Sequence, residues 1–352
     1  MVVGPGITGG TDRGARLCGV GQRVMARPDG GVAEREDGPP SRGWTKTTCR
    51  STWRNWKRRS RRCARNCSGA AEADPERADG RRTSKRTAAL GVLVIVVSWN
   101  VNSIRTRLAR LEALLARHRP DVVCLQELRA GGKDFPAEEL AGWGYRSEVF
   151  AQAGRNGVAL VSREPAEEVS CGFPDDPAEG QARVIAASVS GLHIVNVYVV
   201  NGRSVGSAEY GLKLTWLDAF AAWLRDRFDP AMPLLVVGDF NVAPEGRDVH
   251  DPNRWRGMHL CSEPERERVD ALLKWGLVDL VRLYDPGPGP YTWWDYREGA
   301  FHRGWGLRID LALGTRPVAE RCASAVVDRA ERNPTFGPGR PSDHAPVIVT
   351  LA

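Results

Sequence analysis

Asn100, Asn102, Glu127, Asp239, Asn241, Asp310, Asp343 and His344 share one trait: each stands at an end of a short apolar run. The runs are VVSWNVN, VVCLQE, VVGDFNVA, RIDLAL and PSDHAPVIVTL, and NVYVVNGR adds Tyr198 and Asn201. The set is rich in oxygen, with a single imidazole and no cysteine. Oxygen donors favour Mg²⁺ or Mn²⁺ over zinc. Mg²⁺ takes one or two protein carboxylates and fills its shell with water and substrate phosphate, so a phosphate ester is the natural substrate.

Each piece has a plainer reading when taken alone. Asp343–His344 could be a polar turn before the strand VIVTL. Asn100 and Asn102 could cap the helix that follows them. Glu127 could sit in a surface turn, and Tyr198 could be a core aromatic. Asp239 and Asn241 alternate along GDFN, which would put both on one side of a strand. Asp310 lies between apolar neighbours, and a buried carboxylate needs a partner; a histidine is the obvious one. One polar strand end means little, whereas several that converge make a site.

These residues need a frame that brings strand ends together. VLVIVVSWNVN, DVVCLQEL, VALVSR, ARVIAASVS, LHIVNVYVV, PLLVVGDFN, RIDLALG and APVIVTL read as strands. Helical spacing marks 103–119 and 207–228, and a third helix over 266–275 ends before Gly276 as a C-cap would. Runs of strands with helices in between predict an α/β fold of two packed sheets with helices outside.

The net charge of +7 over 352 residues is uneven. Residues 1–92 hold 20 Lys/Arg and 9 Asp/Glu, and the remainder holds 30 and 34. A polyanion would therefore meet the folded part through a local patch or a metal, not through overall charge. The 1–92 stretch, rich in Gly, Arg, Pro and Ser, reads as a disordered extension or a basic nucleic-acid arm, and 93–352 as the folded catalytic domain. Cys63 and Cys67 are spaced for zinc but lack a second ligand pair. The other cysteines stand isolated, which suits a reducing cytoplasm. The apolar run Val92–Val97 is far too short to span a membrane.

SWNVNSIRTRL, CLQE, NVYVVNGR, GDFNVAP, YTWWDYR, LRIDL and PSDHAP, in this order and spacing, resemble the exonuclease III family of apurinic/apyrimidinic (AP) endonucleases. That family lies within the endonuclease/exonuclease/phosphatase superfamily. The resemblance runs from about Val94 to the C-terminus. GDFN and SDH recur across the superfamily, in sphingomyelinases and inositol phosphatases too. The full set, with YTWWDYR and the NGR, points to the DNA-repair branch.

The resemblance implies a four-layer α/β sandwich, two mixed sheets flanked by helices. It implies a Mg²⁺-dependent nuclease, with Mn²⁺ able to substitute, that cuts 5′ to abasic sites and removes nucleotides or blocking groups from 3′ ends of duplex DNA. It further implies a monomer, cytoplasmic and nucleoid-associated when on DNA, without a membrane. Glu127 looks like the principal metal ligand, with Asn100 or Asn102 and Asp343 nearby; Asp239, Asn241 and His344 complete the candidate metal set. Asp239 looks like the residue that activates water, and Asn241 would orient it. His344, kept charged by Asp310, would contact the scissile phosphate, and Tyr198 the phosphate or leaving group. Asn201, Arg203, Trp305 and Arg308 would lie along the DNA, with Trp293 near the abasic pocket.

The chain departs from the pattern at Val200, where a proline is usual, and that leaves the Asn201 loop without a proline's rigidity. Extra residues in GWGLRIDL put Trp305 out of step with the commoner motif. Two competing readings are a phosphoesterase for a lipid or small-molecule phosphate, and a non-catalytic nucleic-acid-binding protein on the same fold. Arg203 and the aromatic cluster Tyr291–Trp294 argue against the first. The presence of Glu127, Asp239 and His344 argues against the second.

Overall fold

The computed structural model describes residues 16–18 and 93–352. The readings made for the rest of the extension, including the Cys63–Cys67 pair, lie outside the described residues. Short strand β1 (Arg16–Cys18) is followed by β2 (Val94–Asn100), α1 (Ile104–His118), β3 (Val122–Gln126), α2 (Ala137–Gly142), β4 (Arg146–Phe150) and β5 (Val158–Ser162). β6 (Glu167–Cys171), β7 (Val184–Val189) and β8 (Leu192–Tyr198) lead to the long helix α3 (Ala208–Arg227). β9 (Leu234–Asp239), α4 (Glu263–Trp275), β10 (Leu277–Asp279), α5 (Leu280–Tyr284) and α6 (Ala300–Arg303) come next. β11 (Asp310–Thr315), α7 (Arg316–Arg321), β12 (Cys322–Val327) and β13 (Val347–Leu351) close the chain.

The strands form two mixed sheets. The first runs β1-β4-β5-β3-β2-β13-β12, and the second β10-β11-β9-β8-β7-β6. β2 and β3 are parallel, as are β8 and β9. β1 adds to β4 in parallel, so a small part of the region expected to stand apart joins the first sheet.

Alternation along the strands explains the layers. Val96 of β2 and Val122 and Cys124 of β3 point between the sheets, where they meet Ile194, Leu235 and Val237 of the second sheet. Val97, Trp99, Val123 and Leu125 point the other way, onto Leu111, Leu114 and Leu115 of α1. Because both faces are buried, these strands read as unbroken apolar runs. On the second sheet's flank, Trp216 and Phe220 of α3 stack at 5.3 Å, with Phe173 against Trp216. Helix, sheet, sheet and helix make the expected four-layer sandwich.

A polar link ties the two sheets together beneath one end. Gln126 Nε2 donates to Asn196 Oδ1 at 2.7 Å, and Asn196 Nδ2 donates to the carbonyls of Leu125 and Ala159. Two further expectations are corrected. Helix α4 begins at Glu263 rather than Arg266, because Ser262 and Glu265 form a capping box. Cys171 is disulfide-bonded, so the cysteines of the catalytic part do not all stand isolated. Among the described residues, no helix is long and apolar enough to cross a membrane.

Candidate active site

Strand register sets the site. In the second sheet Asp239 pairs with Tyr198 on one side and Asp310 on the other, so three polar strand ends stand abreast. In the first sheet Asn100 pairs with Gln126, which puts Glu127 one residue past the same edge. Close approach of β8 to β9 makes this register possible: at Gly238, with φ of 145°, a Cβ would lie 1.9 Å from the Val197 carbonyl oxygen. Only glycine fits there, one residue before Asp239.

Hydrogen bonds then stitch the ends together. Asn100 Nδ2 donates to Asp239 Oδ2 at 2.9 Å and to Glu127 Oε2 at 3.1 Å. Its own Oδ1 accepts the Asn102 N–H. Asn102 Nδ2 donates to Asp343 Oδ1 at 2.8 Å, and the Trp293 indole donates to Asp343 Oδ2 at 3.1 Å. Asn201 Nδ2 donates to Asn241 Oδ1 at 2.8 Å. The Asp310 carboxylate meets His344 Nδ1 at 2.8 Å, and His344 Nε2 lies 3.9 Å from Asp239 Oδ2. Asn100, Asn102, Glu127, Asn201, Asp239, Asn241, Trp293, Asp310, Asp343 and His344 thus join one network, with Tyr198 in register beside Asp239.

The network differs from the sequence reading in three respects. Asn241 lies past the end of β9, with φ of 51°, and its N–H bonds Asp239 Oδ1 at 2.9 Å. A turn, not strand alternation, brings the two together. No side chain caps α1, so Asn100 and Asn102 are not capping residues. Arg308, expected along the DNA, is fully buried and pairs with Asp248 and with Asp279 at 2.8 Å. Its charge is spent inside the fold, where it joins β11 to the 246–248 turn.

Two other expected DNA residues lie on the surface. Arg203 is exposed and pairs with Glu209 at 2.9 Å. An exposed pair of this kind contributes little, so the guanidinium can turn to a phosphate. Trp305 is half-buried and stacks on His250 at 6.2 Å, and the Arg303 guanidinium lies 4.6 Å over the Trp305 ring.

The sequence reading missed several supporting groups. Arg129 clamps Glu127 through its Nε at 2.8 Å and through Nη2. Arg183 lies 5.0 Å over the Tyr198 ring and donates to the Tyr198 carbonyl. Trp99 donates its indole N–H to the His344 carbonyl, and Ser342 Oγ donates to that of Asn100. The signals were present: an arginine two residues after Glu127, and an indole in a run that ends at Asn100. Asn102, Glu127, Arg129 and Asn241 all have positive φ, between 42° and 55°, which concentrates backbone strain at this edge.

Burial and charge set the protonation states. Burial pushes Asp239 up, to about 7, with Asp310 adding to the rise and the His344 charge opposing it. Burial disfavours a charged His344, but the carboxylates of Asp310 and Asp239 outweigh it and raise the imidazole to about 10. Burial holds the Tyr198 phenol well above its ordinary range, helped by the charges of Glu127 and Asp239. Near neutral pH, then, the phenol is a donor, the imidazole is a cation, and Asp239 is held above the ordinary carboxylate range.

The donor set fits a hard divalent cation. Glu127 and Asp239 are tied through the Asn100 amide and Asp343 through that of Asn102, an oxygen-rich set, and Arg129 is the cation that already answers Glu127. Asp239, Asp310 and His344 also offer ligand atoms within 4.8 Å of one another. That second grouping suits a cation less well, because the Asp310 bond keeps His344 protonated and positive.

Comparison with known proteins comes to the same kind of molecule. Residues 97–344 match the model of the Endonuclease/Exonuclease/phosphatase family. Exodeoxyribonuclease III of Haemophilus influenzae is 31% identical over 263 residues, which cover 71% of this chain and 97% of that protein. A solved structure of the 3′ phosphatase NExo from Neisseria, bound to product DNA hairpin, is 39% identical with a TM-score of 0.71, covering 74% of this chain and 99% of that one. An AP endonuclease from Archaeoglobus fulgidus is 36% identical with a TM-score of 0.69, covering 73% of this chain and 99% of that one.

Proposed function

Because the chain belongs to the exonuclease III family of the endonuclease/exonuclease/phosphatase superfamily, we propose that it is a metal-dependent DNA-repair nuclease. It hydrolyses the phosphodiester 5′ to abasic sites and trims 3′ ends of duplex DNA, as exonuclease and 3′-phosphodiesterase. Mg²⁺ is the metal, with Mn²⁺ able to replace it. It works as a monomer, in the cytoplasm and on the nucleoid; the site's parts all come from one chain. The carrying observation is the Asn100 amide bonded to both Glu127 and Asp239, beside the His344–Asp310 pair. It supports the reading because two carboxylates meet at one amide, beside an imidazole with a fixed counter-charge.

When bound beside Glu127, the metal supplies positive charge for the phosphate oxygens. Asp239, raised to about 7, takes the proton of the attacking water, and the Asn241 N–H keeps its carboxylate oriented. The Nε2 of His344 faces Asp239 and is free to donate to a phosphoryl oxygen, while Asp310 holds Nδ1. Charge that builds on the phosphoryl oxygens meets this imidazolium directly. The Tyr198 phenol, still protonated, donates to the phosphate or to the departing 3′ oxygen. Arg203, Trp293 and Trp305 line the approach of the duplex.

The test is a labelled duplex with one abasic-site analogue, assayed with and without Mg²⁺ beside an undamaged duplex and a small phosphomonoester. A metal-dependent cut just 5′ to the lesion is expected. No cut, together with hydrolysis of the monoester, would move the substrate to the phosphatase side of the superfamily.

A further inference from the structure

Among the described residues, Lys213 is the one lysine in the set of fully buried large side chains. It lies on α3 in line with Tyr210, Trp216 and Phe220, on the face that packs inward. A buried ammonium needs partners, and this one has three. Its Nζ donates to the Asn241 carbonyl at 2.6 Å, to the Asn201 carbonyl at 3.3 Å and to the Glu265 carboxylate. The first two acceptors belong to different loops, one after β8 and one after β9. Those loops present the two amide side chains that bond each other in the site.

Three further contacts show that the arrangement is built. Gly202, with φ of 86°, lies against the lysine stem, and a Cβ there would sit 2.9 Å from Lys213 Cδ. Glu265 is the capping-box residue of α4 and also accepts the N–H groups of Leu260 and Ser262 at 3.0 Å. The Tyr210 hydroxyl meets Ser262 Oγ at 2.7 Å, so α3 and α4 are joined at the same level. The path runs from the α4 cap through Glu265 and Lys213 to Asn241, and from the Asn241 N–H to Asp239 Oδ1.

We propose that Lys213 is a positioning residue for this site: its ammonium locks the Asn201 and Asn241 loops together and through them fixes the Asp239 carboxylate. It touches none of the side chains that would react or hold the metal, since its contacts to Asn201 and Asn241 are to their backbone carbonyls. It supplies from behind the rigidity that a proline at position 200 would have given the Asn201 loop. Glu265 neutralises it, so the lock needs both members and costs no net charge. The catalytic part of the proposal rests on the nuclease reading above.

The experiment compares wild type, Lys213→Met and the neutral double variant Lys213→Met/Glu265→Gln in the full chain. The double variant removes the stranded carboxylate that could unfold the single one. Hydrogen–deuterium exchange, with no substrate, should rise in residues 199–206 and 239–245 of the double variant, with β2, β3 and β13 unchanged. On the abasic duplex, kcat should fall by about a hundredfold, the scale of an ångström-sized misplacement, with KM and melting temperature close to wild type. Wild-type exchange in both loops, or a fall in KM terms alone, overturns the proposal. If wild type fails to cut the duplex, the nuclease reading fails, and the exchange arm still decides whether Lys213 locks the loops.

Discussion

Asp310 and His344 meet at 2.8 Å from opposite sheets: the carboxylate opens β11 of the second, and the imidazole stands just before β13 of the first. The pair is buried, so the imidazolium has a fixed counter-charge on Nδ1, while Nε2 faces Asp239 at 3.9 Å. Its raised value, about 10 against 6.5 ordinarily, means that its contribution to stability is complete below about pH 6.5 and is lost as pH rises toward 10. Asp310→Asn removes the main opposing charge and leaves burial to lower the imidazole. The alkaline limb of the pH profile of kcat/KM should then move down toward neutrality. An unchanged limb would take the His344 charge out of the reaction.

Asp239→Asn keeps the bond to Asn100 and the size of the side chain but cannot accept a proton. Turnover should drop by about 10²- to 10⁴-fold, the usual weight of a general base, while duplex affinity holds. Filter binding and single-turnover cleavage, measured on one preparation, separate the two. Turnover that survives would remove Asp239 from the chemistry.

Glu127→Gln retains the Asn100 contact but loses the negative charge that answers a cation. Its activity should need a much higher Mg²⁺ concentration, and wild type should stop in EDTA and recover with Mg²⁺. A metal titration followed by cleavage reads both effects; full activity in the chelator would refute the metal assignment.

Arg308 and Arg203 should part company. Arg308→Met breaks a buried ion pair with Asp248 and Asp279 and should cost about 3–5 kcal/mol in chemical denaturation. Arg203→Ala should leave stability unchanged, weaken duplex binding and reduce the salt slope by about one. The reverse pattern would return Arg308 to the DNA side.

The long central strands and the polar residues that end them were legible because each run is apolar on both faces and stops at a residue with no packing reason to be there. β4, β6, β10 and β12 were not. β10 has only three residues, and β6 and β12 are edge strands whose exposed positions break the apolar pattern. Arg308 was misplaced because a charge beside LRIDL reads as surface until Asp248, sixty residues earlier, is seen beneath it. Lys213 was available from spacing alone, since a lysine in an apolar helical stripe is already anomalous. Its partners were not, because they belong to loops and a cap far apart in sequence.

Neither sheet holds the site by itself. Asn100 and Asp343, at the two ends of the catalytic region, must arrive at the same edge, and Asp239 comes from the other sheet between them. While the chain is being made, the Asp239 carboxylate has no imidazolium beside it and Glu127 has no complete surround. Cutting power therefore appears only once the last strand has docked. A copy that lacks the last strand lacks Asp343 and His344 at this edge.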